Sequence, residues 1–294
     1  MSNRLSDVEA RISTVHELES VVSAMRGIAA ARSREARSRL DGIRVCAGII
    51  GAAIGDALIL DECNTQPAAA DADASKHVIV VLCAEQGFVG TFNEHIIEAA
   101  AQLPRAGAPG YFMIGERGVV IAQEHGLDVS WSAPMVAHTD EVAALADRIT
   151  GVLYEQLEAG RATHITVLHA VPQFSTAIEV VQKCLLPFDF ARFSASARHL
   201  APLVTLPPRR LLARLAEEYV FAQLCEAIML SFAAENEARM RAMIAARVNV
   251  HDKLDGLIGD SRRLRQDEIT AEIVELSSGS LASGDISQMQ RSRR

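Results

Sequence analysis

Two glycines that follow an apolar run are the residues most suggestive of phosphate binding. The run His77–Cys83 (HVIVVLC) is typical of a buried parallel strand, and Gly87 and Gly90 come after it, just before Phe92 and Asn93. Glycine-rich turns between a strand and a helix cradle phosphates in many proteins. The sequence contains neither GxGxxG nor GxxxxGK[ST], however. We therefore interpret Gly87 and Gly90 as a tight turn whose backbone geometry requires glycine.

Metal-binding and nucleophilic side chains do not cluster in the sequence. The chain has nine histidines, and only His164 and His169 lie close together, without an acidic ligand cluster. The five cysteines are scattered and never have CxxC spacing, which indicates a reduced compartment without a zinc site or disulfide framework. No Ser-His-Asp set or pair of carboxylates can be singled out. We expect no metal, no cofactor and no catalytic residue.

Charge is distributed unevenly along the chain, whose formal net charge is −8. Residues 45–204 contain 18 acidic and 8 basic residues. Because nucleic-acid phosphates bind basic surfaces, this acidic middle argues against nucleic acid as the main partner.

The sequence predicts no membrane-spanning segment. The first residues lack the apolar core of a signal peptide. The longest apolar candidate, Val45–Leu60, is short and is interrupted by Asp56. We therefore expect any association with a membrane to be indirect, through a partner.

Residues 1–60 are predicted to form one long helix. Proline is absent before Pro67, and a helix of ~55 residues would be about 80 Å long. Apolar residues recur every three or four positions, as on one face of a helix. They are Leu5, Val8, Ile12, Val15, Leu18, Val22, Met25 and Ile28.

The middle of the chain is predicted to form a small α/β domain. Residues 61–75 are small and polar, which indicates a linker. Residues 76–207 alternate between strand and helix patterns. We predict strands at His77–Cys83, Tyr111–Ile114, Asp128–Trp131, His164–Leu168 and Ala177–Leu185, the last two compatible with a hairpin, and helices at Phe92–Gln102 and Thr139–Leu157.

Residues 208–280 are predicted to form a second long helix. Apolar or small residues recur there close to heptad spacing, and a helix of this length would reach about 100 Å. Such a helix needs a partner along its stripe, and the N-terminal helix is the obvious one. The predicted fold class is therefore α/β: a long antiparallel coiled coil of N- and C-terminal helices, with a small Rossmann-like α/β domain inserted between them. Residues 281–294 are predicted to be a flexible tail.

The C-terminal helix carries the most specific motif. The run SFAAENEARMRAMIAA, which begins at Ser231, resembles the Ser-x-x-x-Glu-x-x-Ala-Arg-Met-x-Ala-Met pattern of the gamma subunits of F-type ATP synthases. The matching residues, with an asparagine at the distance expected for the family, are Glu235, Arg239, Met240, Met243 and Asn249.

Shorter motifs of the same family follow in order along nearly the whole chain. They are Ala24–Arg32, Gly87–Asn93 (GFVGTFN), Ile114–Gly118, Leu185–Pro187, Glu218–Tyr219 and Arg265–Glu275 (RQDEITAEIVE). Two segments depart from the family. Ala84-Glu85-Gln86 stands where the family has Ser-Asp-Arg, and Val204-Thr205-Leu206 stands where it has Tyr-Glu-Pro, facing the membrane ring. These departures suggest a divergent or alternative bacterial F-type complex.

The resemblance implies a central rotor shaft rather than a catalytic subunit. One copy would lie inside a ring of alternating alpha and beta subunits, and its α/β domain would contact the epsilon subunit and the membrane c-subunit ring, at the cytoplasmic face of a bacterial inner membrane. Ion flow would turn the c ring and the shaft, and the shaft would drive the beta sites through different conformations for ATP synthesis or hydrolysis. Physically, it supplies a different contact energy to each state of the ring.

The resemblance also implies contact residues. Arg265, Gln266 and Thr270 share one region of a helix surface and would contact a loop of a beta subunit, with Arg265 suited to a charged pair. Met25 would lie near the same contact region. Arg26 and Arg32 belong to an arginine-rich segment that would contact acidic beta segments. The structural alternatives are a solvated face for the polar residues and a core stripe for Met25.

Two other functions remain open from the residues alone. One is a coiled-coil scaffold or adaptor with an unrelated α/β head, which would bind partners without depending on an ATPase ring. The other is a nucleotide-binding α/β enzyme with helical arms, which the missing phosphate loop disfavours.

Overall fold

The computed structural model of the chain describes residues 2–60, 76–103, 110–173, 178–193 and 203–291. The helices in these ranges are α1 Ser2–Leu60, α2 Phe92–Ala101, α3 Glu116–Glu124, α4 Val142–Glu158 and α5 Pro208–Arg291. The strands are β1 His77–Leu82, β2 Gly110–Ile114, β3 Val129–Ala133, β4 His164–Val171 and β5 Glu179–Leu186. Short 3₁₀ turns lie at Thr139–Glu141 and Phe190–Arg192.

The chain divides into two compact units. The first combines both chain ends, Met1–Arg26 and Met243–Arg294, and the second is Gly27–Ala242. Both long helices contribute to both units.

The sheet of the second unit has the strand order β3-β2-β1-β4-β5. β1 pairs in parallel with both β2 and β4, and β2 pairs in parallel with β3. β5 pairs with β4 in the antiparallel direction, as a hairpin would. Three parallel pairs require crossover connections, which the intervening helices supply.

The apolar run of β1 is explained by helices on both sides of the sheet. Val78, Val80 and Leu82 point to a core shared with α4, α5 and the middle of α1. Ile79 and Val81 point to a second core, shared with α2 and with Ala234 and Ala238 of α5. Because both faces of this parallel strand are covered, its sequence does not alternate between apolar and polar residues.

The long helices run antiparallel in each unit. In the chain-end unit, Arg265 Nη2 lies 2.8 Å from Glu9 Oε1, and Arg247 Nε lies 3.8 Å from Glu19 Oε1. The buried stripe of α5 there includes Met243, Val250, Leu254 and Leu257. In the second unit, the Arg44 Nε–Glu226 Oε1 pair at 2.9 Å and the packing of Ile54 against Leu212 show that the two helices are antiparallel there.

The predicted fold class is confirmed, with small differences in where elements begin and end. α5 continues to Arg291 rather than ending near residue 280, since no proline follows Pro208 to stop it. Flexibility of the tail stays a prediction. The predicted linker 61–75, and Ala177 at the predicted start of the last strand, lie outside the described residues.

By length and composition alone, α1 is apolar enough to cross a membrane, although the sequence analysis expected no such segment. Ile54 and Ala57, in the apolar end of α1, are 0% and 2% exposed and pack with Leu212 of α5. One side of this end is therefore covered by protein, whereas Ile49 and Ile59 are 66% and 57% exposed.

Candidate functional site

In the second unit, helix α5 fills the crevice where doubly wound sheets usually bind ligands. The order of the strands reverses between β1 and β4, and ligands of such sheets bind beyond the carboxyl ends of the strands at this point. Here Ala234 and Ala238 of α5 pack against Leu168 and Ala170 of β4. Ser231 Oγ donates a hydrogen bond to Leu82 O, at the end of β1, at 3.1 Å. The crevice is therefore occupied by α5 rather than open to a ligand.

Arg239 fixes α5 to the turn that follows β1. Its Nη2 donates to Gln86 O at 3.1 Å and to Glu235 Oε1 at 2.7 Å, and its Nε donates to Gly87 O at 3.3 Å. Arg239 is 6% exposed and Glu235 is 4% exposed. We call this arrangement of Arg239, Glu235 and the two turn carbonyls the α5 clamp. It holds a guanidinium away from water with its charge and most of its donors satisfied.

The turn itself is organised by the residues that its sequence singled out. Phe92 and Asn93 are buried, and Asn93 Oδ1 accepts a hydrogen bond from Ala84 N at 2.8 Å. Gly90 has a φ of 62°, and Phe88, 67% exposed, has the same φ. The prediction of a tight turn at Gly87 and Gly90 is thus met at Gly90, where the left-handed backbone favours glycine.

The pKa of Glu235 departs from its usual value because the side chain is buried. Burial raises the pKa of Glu235 to about 7, and the Glu85 carboxylate adds to the rise, while the nearby charges of Arg239 and Arg32 oppose it. Arg32, predicted as a partner contact, thus lies within electrostatic range of the clamp. Desolvation of the carboxylate outweighs its pairing with Arg239.

Glu85 has a structural role that sequence reasoning missed. Its Oε2 accepts hydrogen bonds from Glu116 N, at the start of α3, at 3.2 Å and from Met135 N at 2.8 Å. It therefore joins the turn after β1 to the exits of β2 and β3. A carboxylate at a helix N-terminus is also favoured by the helix dipole.

Glu226, which is half-buried, is a second connector that the sequence did not reveal. It accepts hydrogen bonds from Arg44 Nε of α1 at 2.9 Å and from Lys183 Nζ of β5 at 3.1 Å. Burial alone would raise the pKa of Glu226, but the bond from Arg44 and the charge of Lys183 outweigh it and hold the pKa below its usual range. Glu226 thus ties three elements together as a carboxylate.

We expect Glu226→Gln to lower the free energy of unfolding at pH 7 by about 1–2 kcal/mol, since hydrogen bonds to a charged group are lost. A depressed pKa contributes stability above the ordinary carboxyl range, which is lost as the pH falls through the lowered pKa. The difference between wild type and variant should therefore shrink from pH 7 to pH 4. Urea unfolding monitored by the single tryptophan, Trp131, measures it.

The matched control for Glu226 is Glu217→Gln. Glu217 lies on the same helix and pairs at 2.6 Å with Arg214, whose side chain is 65% exposed, and such pairs contribute little. A loss at Glu226 no larger than that at Glu217, or one that grows as the pH falls, would contradict the connector role.

The predicted contact residues of the chain-end unit form an exposed surface. Arg265, Gln266 and Thr270 are all exposed, and Thr270 Oγ1 donates to Gln266 O at 2.8 Å. Met25 and Arg26 are half-buried on α1. Glu9 is the α1 residue opposite Arg265, so Met25, sixteen residues later, lies about 24 Å along the helix from it. The structure therefore does not bring Met25 to the Arg265 surface.

The motif residues of α5 separate into different environments. Glu235 and Arg239 form the clamp, whereas Met240 lines a cavity beside α1. Met243 is buried and Asn249 is exposed, both in the chain-end unit. Within the described ranges, no group of three or more His, Cys, Asp or Glu side chains is placed to hold a metal ion.

Comparisons with known proteins agree with this architecture. The family model described as ATP synthase matches residues 4–282. The ATP synthase gamma chains of Fuscovulum blasticum and Solibacter usitatus are each 28% identical to this chain, covering 95% of it and 99% and 98% of their own lengths. The rotor of the Euglena gracilis mitochondrial ATP synthase, in rotational state 1, shares the fold, with a TM-score of 0.59, 9% identity and coverage of 92% of this chain and 100% of that one. The chain therefore belongs to the ATP synthase family, as a gamma-type subunit of an enzyme complex.

Proposed function

We propose that this chain is the central rotor subunit of an F-type ATP synthase and makes no catalytic contact with ATP. The observation that carries the proposal is the α5 clamp: the helix that bears the family motif occupies the crevice in which a doubly wound domain would bind a nucleotide. The nucleotide-binding alternative therefore loses its usual site, and the α/β domain acts as an anchor for a long helix.

Rotation by the chain requires that the helix and the sheet move together. The clamp supplies this rigidity within the second unit, because Arg239 and Ser231 bind backbone carbonyls at the end of β1. α1 is joined to the same helix by the Arg37–Glu237 and Arg44–Glu226 ion pairs. Torque applied to the α/β domain would therefore reach both helices.

The partners follow from the family. We propose one copy per complex, with the helices inside a ring of alpha and beta subunits and the α/β domain on the epsilon subunit and the membrane c-subunit ring, at the cytoplasmic face of a bacterial membrane. The exposed surface of Arg265, Gln266 and Thr270 is proposed to contact a beta subunit. Exposed apolar side chains next to it, Ile269 at 51% and Ile273 at 61%, support a surface that is covered in the assembly.

The test is Mg-ATP hydrolysis by the assembly purified after co-expression with the cognate alpha and beta subunits. We expect one copy of the chain to co-purify with the ring and hydrolysis to depend on it. The Arg265→Ala, Gln266→Ala double variant should lower the rate, since a charged contact with a beta subunit is removed.

Arg263→Ala is the matched control, because Arg263 is exposed on the same helix and pairs only weakly, at 3.7 Å, with Asp260 of its own helix. An equal loss in the control would contradict the specific role of the Arg265 surface. If the chain stays alone and hydrolysis is indifferent to it, the rotor proposal fails and the scaffold function takes its place.

A further inference from the structure

A cavity of the second unit has the charge of an anion site. It measures 370 Å³ and lies between the middle of α1 and α5. Its lining includes three arginines and a single carboxylate, so basic residues outnumber acidic ones. The charged lining residues are Arg34, Arg37, Arg241 and Glu237.

Helical spacing brings these side chains together. Arg34 and Arg37 are three residues apart on α1, and Glu237 and Arg241 are four residues apart on α5, so each pair projects from one face of its helix. The two helices run antiparallel here, and their faces meet at the cavity. Several donors therefore converge on one volume.

The one carboxylate of the cavity is already engaged. Glu237 is 7% exposed, and its Oε1 accepts hydrogen bonds from Ser33 Oγ at 3.2 Å and from Arg37 Nη2. Arg241 Nη1 donates to Gln173 O at 3.4 Å. Among the residues that the structure describes, Arg34 has no hydrogen bond or ion pair within the protein. Arg34 is thus the cation that faces the cavity with its charge uncompensated.

We propose that this cavity binds a phosphate group, from inorganic phosphate or from a nucleotide, between Arg34 and Arg241. Guanidinium groups match phosphate oxygens in bidentate geometry and form stronger hydrogen bonds than neutral donors. A phosphate monoester carries about −1.5 to −2 charges at neutral pH, which suits a lining in which arginines outnumber carboxylates. The volume lies within the range of small-molecule sites.

The test is the melting temperature of the full chain, titrated with sodium phosphate against sodium chloride at equal ionic strength. A ligand that binds only the folded state stabilises it by mass action. We expect a saturable rise of about 2–4 °C, as for about 1 kcal/mol in a chain of this size class. Arg34→Gln and Arg241→Gln should each weaken the apparent phosphate affinity about tenfold or more.

Arg39→Gln is the matched control, because Arg39 is exposed on α1 and pairs with Glu35 at 3.0 Å. The control should keep the full response. A second titration with ADP distinguishes the source of the phosphate group: the ligand that saturates at the lower concentration is assigned to the site.

Three results would overturn the proposal. The first is no saturable response to either ligand, and the second is a response that persists in Arg34→Gln. The third is an equal response to sodium acetate, which would assign the cavity to carboxylates such as those of an acidic protein segment. The assay contains no ring subunits, so its outcome is independent of the rotor proposal.

Discussion

Arg239→Met is expected to lower the free energy of unfolding of the second unit by about 3 kcal/mol, because it removes one partner of a buried ion pair and three further hydrogen bonds. The acceptors of these bonds are Gln86 O, Gly87 O and Asn236 Oδ1. Methionine retains much of the length and apolar stem of arginine, so little cavity is created. The turn carbonyls of Gln86 and Gly87 lose their donor, and Glu235 is left beside an apolar group. Urea unfolding monitored by Trp131 fluorescence measures the loss, since Trp131 packs 5.4 Å from Phe112 in the same unit.

Arg214→Met is the matched control for Arg239. Arg214 also pairs with a glutamate of α5, Glu217, but its side chain is 65% exposed. Exposed pairs contribute about 0–1 kcal/mol. A similar small loss at both arginines would mean that the clamp does not hold α5 on the sheet.

Glu235→Gln should behave differently from Arg239→Met although it breaks the same pair. The pKa of Glu235 in the folded chain, about 7, is above the ordinary carboxyl value of 4.5, so the folded state binds the proton more tightly. The wild-type chain therefore loses stability, relative to a variant with a neutral side chain at position 235, as the pH rises from 4.5 to 7. We expect the glutamine variant to match wild type near pH 4.5 and to be the more stable of the two at pH 8. The reverse order at pH 8 would show that pairing outweighs desolvation.

The elements of the fold could be predicted because their patterns are local. A three-four spacing of apolar residues and a long absence of proline predict α1 and α5. The unbroken apolar run of β1 predicts a strand covered on both sides. These patterns depend on residues within one element, so no knowledge of its neighbours is needed.

The site could be predicted only in part because its contacts join distant segments. The motif identified Glu235 and Arg239 but not the hydrogen bonds of Arg239 to turn carbonyls 152 and 153 residues earlier. Nothing in the local sequence distinguishes Glu226, which joins three elements, from Glu217, which pairs with Arg214 of its own helix. The distance of Met25 from Arg265 likewise depends on the register between two helices, which apolar spacing alone does not fix.

The second large effect is expected at the exit of β2, where Gly115→Ala should lower the free energy of unfolding by about 3 kcal/mol or more. Gly115 has a φ of 98° and a ψ of 120°, a conformation that costs a residue with a Cβ about 1–3 kcal/mol. The added Cβ would also lie 2.5 Å from Cys83 O and 2.8 Å from Ala84 O. These are backbone atoms at the end of β1. The clash can therefore be relieved only if the end of this strand, which leads into the turn bound by Arg239, moves.

Substitutions at two other glycines measure the cost of the backbone conformation separately from the cost of the steric clash. Gly126 has a φ of 69° but open space around its Cβ position, so Gly126→Ala should show only the cost of the left-handed backbone, about 1–2 kcal/mol. Gly151 lies within α4, also in open space, so Gly151→Ala should stabilise the chain by about 0.5–1 kcal/mol. Trp131 fluorescence in urea reports all three variants. If Gly115→Ala lowers the free energy of unfolding no more than Gly126→Ala does, the end of β1 moves easily to accommodate the added Cβ. The rigid attachment of α5 to the sheet, which the rotor function requires, would then be contradicted.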